Sequence, residues 1–304
     1  MHIRPYQSAD LDAIHSLISA AASTDGTPFV THEALRTAPA PDQNTAVALL
    51  PNHTIAGFAW WDVTQQPAMA MEGWVHPAHR RQGLGTALLV AAESAARSYS
   101  VEHLSGRAFD NSPSALALFK LRGFFEARRF NQMWVTLGSA EIQVPSIAGF
   151  TVRTFKDGDA AELFDADVDV FSTSWGAQPQ TFEAWQRRNL IINAFDPTQW
   201  VLVLEGSRIV ALALCNASSF GSTATQGSAA AQDGWVSHLG VRAAYRGCGL
   251  GRLALLRGLW GLQQVGYQRV GLHVDAENTP AIRLYESVGM RSTRTRVHFA
   301  KAIR

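Results

Sequence analysis

Two rounds of the same alternation between helix-like and strand-like hydrophobic spacing run along this chain. In the first, Leu11, Ile14, Ile18 and Ala21 recur at helical intervals behind the polar start at Ser8, which predicts an amphipathic helix over 8–22. Residues 46–50 and 54–63 then read as the strands of a hairpin, 68–75 as a strand entering a glycine-rich loop, and 86–97 as an apolar helix. A strand over 103–109 leads to a helix capped near Asn111 or Ser112, with Pro113 in its first turn. Strands over 124–130 and 132–137 are expected to close this set, and 138–149, with Pro145 and several small residues, reads as a connection. In the second round, 157–170 and 180–192 read as helices, 200–204 and 208–215 as strands, and 252–264 as the helix behind a second glycine-rich loop. Residues 218–233 are poor in hydrophobic side chains and rich in Ser, Ala, Thr and Gly, as suits a surface loop or a lid over a neighbouring site.

The two glycine-rich loops are one hexapeptide written twice. Arg80-Arg81-Gln82-Gly83-Leu84-Gly85 and Arg246-Gly247-Cys248-Gly249-Leu250-Gly251 lie 166 residues apart (246 − 80), each followed by an apolar helix. Glycines at the fourth and sixth positions let the backbone turn tightly and bring its N–H groups to a ligand, and the helix adds the positive end of its dipole. The guest such a loop suits is a pyrophosphate. Because similar loops also close ordinary strand-to-helix turns, the width of the repeat matters. Ala115, Phe119, Gly123 and Phe124 precede Ala281, Tyr285, Gly289 and Met290 by the same 166 residues, and Asn111-Ser112-Pro113 precedes Asn278-Thr279-Pro280 by 167. Ile3-Arg4-Pro5-Tyr6-Gln7 with Asp10 answers Val152-Arg153-Thr154-Phe155-Lys156 with Asp159 at an offset of 149, and residues 55–60 answer 209–214 at 154. The chain therefore divides into modules at 1–138 and 150–304, joined by 139–149.

Composition permits this and narrows the partners. A chain of 304 residues with 47% hydrophobic residues is long enough for two cores, and its 26 basic and 25 acidic residues leave a net charge of +1. Nothing in that balance favours nucleic acid or an anionic membrane surface. The first ten residues have no apolar core of a targeting signal, and no run of ~20 apolar residues occurs, so a cytoplasmic, soluble protein is expected. Cys215 and Cys248 are too few for a disulfide scaffold or a thiolate metal cluster, and no metal is expected; Cys215 reads as core, and Cys248 as a loop residue whose backbone matters more than its thiol.

The runs from Gly73 to Arg80 onward and from Val236 to Arg242 onward, with Val274-Asp275-Ala276-Glu277-Asn278 and the Tyr285 to Met290 segment, closely resemble the GNAT superfamily of acyl-CoA-dependent N-acetyltransferases. The resemblance is in particular to its tandem members, including mycothiol synthase-like enzymes. The resemblance covers nearly the whole chain and implies an α/β fold (α+β layered) of two tandem modules, each a mixed, splayed sheet flanked by helices. It implies acetyl-CoA as cosubstrate, lying between two central strands. The expected contacts are Leu239, Gly240, Val241, the loop Arg246 to Gly251, Arg252 and Asn278 in the second module. In the first they are Val75, Arg80, Arg81, Gln82, Gly83, Leu84, Gly85 and Thr86. The reaction implied is acetyl transfer to a primary amine of a small molecule or peptide, by direct attack on the thioester. The tandem imitates a homodimer of single modules, which suits a monomer, with a homodimer left open.

Such a reaction needs an uncharged amine, a donor to the carbonyl oxygen and a proton for the departing sulfur. The backbone N–H of Val241, or of Val75, is the donor the resemblance implies. A phenol of pKa about 10 is matched to a thiolate of about 8.5, and Tyr285 fits that role. Its counterpart is Phe119 or Leu118, neither with a proton to give, which makes the second module the expected catalyst. Many family members carry a glutamate base six residues before the valine, where this chain has Trp235 and, in the first module, Met69. Strand alternation puts Ser237 on the face of Val241 and turns His238 away unless a bulge intervenes. His238 and Ser237 remain candidates, as do Glu205, Asp233, Asp275 and Glu72, while His76 and His79 read as surface residues. Trp175, Trp185 and Trp200 suit either an acceptor pocket or packed core. A tandem acyl-CoA-binding or regulatory protein without turnover would also keep both loops and need no base. ATP binding is disfavoured, because neither loop ends in the Lys-Ser/Thr that holds a terminal phosphate and magnesium.

Overall fold

The computed structural model describes residues 1–25, 44–63, 67–192, 196–217 and 233–303. The first half contains β1 (His2–Arg4), α1 (Leu11–Asp25), β2 (Thr45–Leu49), β3 (Ile55–Asp62), β4 (Ala68–Val75), α2 (Leu84–Ser98), β5 (His103–Phe109), α3 (Pro113–Leu121) and β6 (Phe125–Thr136). The second contains β7 (Thr151–Thr154), α4 (Ala160–Phe171), α5 (Phe182–Gln186), β8 (Trp200–Glu205), β9 (Arg208–Ala217), β10 (Asp233–Val241), α6 (Leu250–Gln264), β11 (Arg269–Asp275), α7 (Thr279–Ser287) and β12 (Arg291–Ala302). The helix expected over 180–192 is α-helical only through α5, and 187–192 continue as π-helix. Of the stretch read as a loop or lid, 218–232 lies outside the described residues.

Both halves open with the same lock. The Arg4 guanidinium grips the Asp10 carboxylate at 2.6 and 2.7 Å, and Asp10 also accepts the Gln7 N–H at 2.8 Å. Arg153 and Asp159 repeat the grip at 2.6 and 2.8 Å, with the Lys156 N–H at 2.7 Å. The bidentate fork ties a terminal strand to the helix after it. Hydrogen bonding to these arginines, with the backbone donors, holds both carboxyls below the usual range against the opposing effect of burial.

The described strands form one twelve-stranded sheet in the order β1-β2-β3-β4-β5-β12-β6-β11-β10-β9-β8-β7. Only β4–β5 and β10–β11 are parallel pairs. The helices α2, α3, α6 and α7 cover one face through clusters that include Leu88 and Phe119, or Leu253 and Tyr285. The other face carries α1, packed by Ile14, Leu17 and Ile18, and α4 and α5, packed by Leu163 and the fully buried Trp185.

One expectation is corrected here. Residues 124–130 and 132–137 do not form two strands closing the first module: 125–136 make one uninterrupted strand, because Phe130-Asn131-Gln132 contains no glycine or proline to turn the chain. Neither terminal strand pairs within its own half. β6 is antiparallel to β11 and β12, and β12 is antiparallel to β5 and β6. The two exchanged strands match end for end at an offset of 166 (291 − 125 and 302 − 136), and Phe130 pairs with its own counterpart Arg296. A pseudo-two-fold axis therefore passes through that pair and fuses the modules. The connection also packs on the second module. The Gln263 amide donates to Gly138 O and Ala140 O at 2.7 and 2.9 Å, and Ile142, Val144 and Ile147 lie on the core around α6.

Candidate active site

Each parallel pair is hydrogen-bonded over three residues and then splays apart. Ala68 to Ala70 pair with His103 to Ser105, and Asp233 to Trp235 with Arg269 to Gly271. Beyond them a slot opens in each module. The Arg242 N–H is spent on Val210 O and the His76 N–H on Ala56 O, both at 2.9 Å and both toward the outer strand. Successive N–H groups of an extended strand point opposite ways, so those of Val241 and Val75 face their slots.

The glycine loops sit at the mouths of these slots. Gly83 and Gly249 take left-handed φ of 85° and 80° as N-caps of α2 and α6, a conformation that favours glycine. Gly85 is tightly packed, an added Cβ standing 3.2 Å from Leu118, whereas at Gly251 a Cβ would stand at ordinary contact, 3.4 Å from Leu284 and Val241, with no room for a larger side chain in that direction. The remaining loop glycine, Gly247 at φ 82°, answers Arg81 at φ 64°, so the first loop holds about 1–3 kcal/mol of backbone strain that the second does not. Arg80 and Arg246 clip the loops to their strands through Nε, to Val75 O at 3.3 Å and Val241 O at 3.2 Å. Arg80 also forks onto Asp25 at 2.7 and 2.8 Å. Leu84 and Leu250 are buried pegs, Cys248 is exposed, and Gln82 lies on the exposed turn. Arg252 bonds Ser287 Oγ at 2.6 Å, and Asn278 Oδ1 caps α7 by accepting Ala281 N–H at 3.2 Å. The loops, the unfilled first helical turns and the slots fit a CoA pyrophosphate and pantetheine arm.

In the first module this space is a cavity of 480 Å³ running from Gly83, Gly85 and Thr86 to Arg107 and Arg296, with Phe119 in its wall. Phe119 stacks on Phe299 at 4.8 Å and meets Phe124 edge-on at 5.2 Å. Tyr285 holds the equivalent place on α7, buried in the second core, and that burial pushes its phenol up to about 12.

A β-bulge between Val236 and His238 absorbs Ser237, whose Oγ bonds Asn216 Oδ1 at 2.9 Å. Leu239 and Val241 then face α6, while His238 and Gly240 face α4. This turn away from the CoA loop does not isolate His238. Its Nδ1 lies 2.7 Å from Asp167 Oδ1, while the second Asp167 oxygen accepts Trp185 Nε1–H at 2.9 Å. Asp167 is a buried carboxylate on α4 that sequence reasoning missed, since nothing local relates it to a histidine 71 residues on. With the carboxylate accepting at Nδ1, Nε2 is left as the basic nitrogen.

The other candidate carboxylates are engaged elsewhere. Asp233 pairs with Arg269 at 2.6 Å, Asp275 with Arg128 at 2.8 Å, Glu72 with Arg107, and Glu205 accepts the Tyr245 hydroxyl at 2.6 Å. Trp235, in the place of the family glutamate, is buried edge-on against Trp134 and His273. Met69, Trp185, Trp200 and Cys215 are core, and burial pushes the Cys215 thiol up to about 12. Trp175 is half-exposed beside Phe130 and His298. His76 and His79 lie at the loop entrance, His76 Nδ1 accepting Ala78 N–H at 3.3 Å.

Two splayed strand pairs, each with a glycine-capped loop at its mouth and a valine N–H turned inward, repeat one architecture, and residues 12–124 and 160–290 match the Acetyltransferase (GNAT) family. The chain belongs to that family and is a tandem acetyltransferase. It is 31% identical over 304 residues to a protein named mycothiol acetyltransferase from Kineococcus radiotolerans, covering 96% of this chain and 93% of the relative. A mycothiol acetyltransferase from Thermomonospora curvata is also 31% identical, over 92% of this chain and 89% of its own. Among solved structures, a GCN5-related N-acetyltransferase from Sphaerobacter thermophilus superposes with a TM-score of 0.81 at 28% identity, covering 100% and 96% of the two chains. A tandem GNAT protein from the clavulanic acid biosynthesis pathway, 17% identical, shares the fold over 100% and 98% of the chains at a TM-score of 0.78. Among the described residues no helix is long and apolar enough to cross a membrane.

Proposed function

We propose that the second module moves the acetyl group of acetyl-CoA to a primary amine of a small molecule or peptide by direct attack. The observation that carries this reading is the His238–Asp167 pair, set on the α4 side of the slot and oriented by a buried carboxylate. The amine nitrogen attacks the carbonyl carbon and the carbon–sulfur bond breaks. His238 Nε2 takes the amine proton, the Val241 N–H donates to the carbonyl oxygen, and the Tyr285 hydroxyl donates to the departing sulfur. The first module offers the same loop and slot but has Phe119 for Tyr285 and Glu72 bound to Arg107, so it binds CoA without turning it over.

A single imidazole is a modest base, which selects the acceptor. Neutralising an alkylamine of pKa about 10.4 near pH 7.4 costs about 4 kcal/mol, whereas an α-amine of about 7.7–8.0 costs about 0.4–0.8 kcal/mol. An α-amine or an amino-sugar-like amine is the acceptor class, and the relatives' name favours a small molecule. The fused sheet holds inside one chain what single modules gain by dimerising, which supports a monomer; we place the protein in the cytoplasm. Thiol release from acetyl-CoA across a panel of amines tests the reading: low-pKa amines should react best, and a preference for simple alkylamines would overturn it.

A further inference from the structure

Among the described residues, the centre of the fused sheet carries more positive charge than its neighbours balance. Arg296 belongs to the second half of the chain, yet β12 carries it beside β5 and into the wall of the first module's cavity, next to Arg107 and Glu72. Arg107 is paired with Glu72. Arg294, two residues before Arg296 on β12, is spent on Gln132 Oε1 and on Asp25 O at 3.1 Å, and the Asp25 carboxylate is held by Arg80. Arg296 is left over: its buried Nε has no hydrogen-bond partner among the described residues, and its guanidinium stands 5.9 Å over the Phe130 ring.

Arg296 is half-buried as a residue with its Nε out of reach of water; leaving such a donor unsatisfied is costly, and a ligand in the cavity can supply the missing acceptor. The strain shows in its neighbours. Burial, reinforced by Arg107 and Arg294, holds Arg296 down at about 9, and burial with Arg296 and Arg107 pushes His298 down to about 3. Arg107 lines the same cavity and keeps 39% of its side-chain surface accessible.

We propose that the inner end of the first-module cavity is a carboxylate-binding subsite with Arg296 as its principal donor and Arg107, one of whose guanidinium nitrogens already holds Glu72, offering its remaining N–H groups beside it. Two guanidinium groups converging on one space suit a carboxylate, which accepts two parallel N–H bonds. The carboxylate can belong to the acyl chain of a CoA thioester held by the Arg80 to Thr86 loop, or to a separate small acid bound beside CoA. The subsite makes no use of His238 or Tyr285, so it stands or falls independently of catalysis in the second module.

Calorimetric titration of the full chain decides it, with succinyl-CoA, acetyl-CoA, and free succinate added to CoA-saturated protein. Succinyl-CoA is expected to bind at least about tenfold tighter than acetyl-CoA, the effect of one charge-assisted hydrogen bond. Arg296→Met should erase that preference and Arg296→Lys should keep part of it. If the two thioesters bind alike but succinate binds alongside CoA and is lost in Arg296→Met, the subsite holds for a separate acid. Arg296→Gln replaces the Met variant if melting curves show that the latter does not fold. Carboxylate binding absent in the wild-type chain, or unchanged in folded Arg296 variants, overturns the proposal.

Discussion

Replacing Tyr285 by Phe removes one hydroxyl and leaves the ring packed in the second core, so the effect on catalysis is separable from folding. The size of the effect depends on what the hydroxyl does. Burial holds the phenol at about 12, whereas the departing thiol titrates near about 8.5. Full proton transfer across that gap of about 3.5 pH units would run uphill by about 5 kcal/mol. Donation of a hydrogen bond to the developing thiolate avoids that cost and contributes about 1.5–3 kcal/mol. Tyr285→Phe should therefore lower kcat by about 10–150-fold, with the KM for acetyl-CoA nearly unchanged. A loss near ~10⁴ would mean that desolvation lifts the thiol as far as the phenol, and that the proton is transferred in full. The assay is thiol release at saturating amine, beside a melting curve to confirm the fold. A phenol near 12 stays protonated between about pH 6 and 9, so no alkaline limb from this group should appear in that range. A Tyr285→Phe enzyme within about twofold of wild type removes Tyr285 from the mechanism.

Asp167→Asn should lower kcat by about tenfold or more while acetyl-CoA still saturates normally, because the imidazole loses the acceptor that fixes its tautomer; an equal loss in thermal stability and no loss in kcat would reduce Asp167 to a buried partner of Trp185. Gly249→Val or Gly251→Leu should abolish saturation by acetyl-CoA in folded protein, measured by calorimetry, since one position needs a left-handed φ and the other has Leu284 and Val241 at 3.4 Å. Stability should also fall in acid. The Asp10 and Asp159 carboxyls are held below their unfolded range of about 3.9, so their contribution is full above that pH and lost as pH falls through the lower folded values. Melting temperatures between about pH 2 and 7 should drop less steeply in Asp159→Asn than in wild type, and parallel curves would show that the lock contributes nothing.

The sequence by itself determined what is local or repeated. Period and punctuation were enough to delimit β4 and β5 residue for residue, and the duplicated hexapeptides announced two tight glycine turns ahead of helices, though not that Gly83 and Gly249 would be their left-handed caps. The matching openings that contain Arg4 and Asp10, and Arg153 and Asp159, were legible at an offset of 149, though not the locks those residues form, and Tyr285 against Phe119 was legible as the difference between the modules. Alternation also turned His238 away from the CoA loop, but not toward Asp167. Tertiary structure alone decided that meeting, the exchange of β6 and β12, and the arrival of Arg296 in the other module's cavity. The reason is physical. A strand's spacing records which face is buried, but its edge hydrogen bonds are made by main-chain groups common to all residues, so the pattern that makes 125–136 a strand does not say which strand lies beside it.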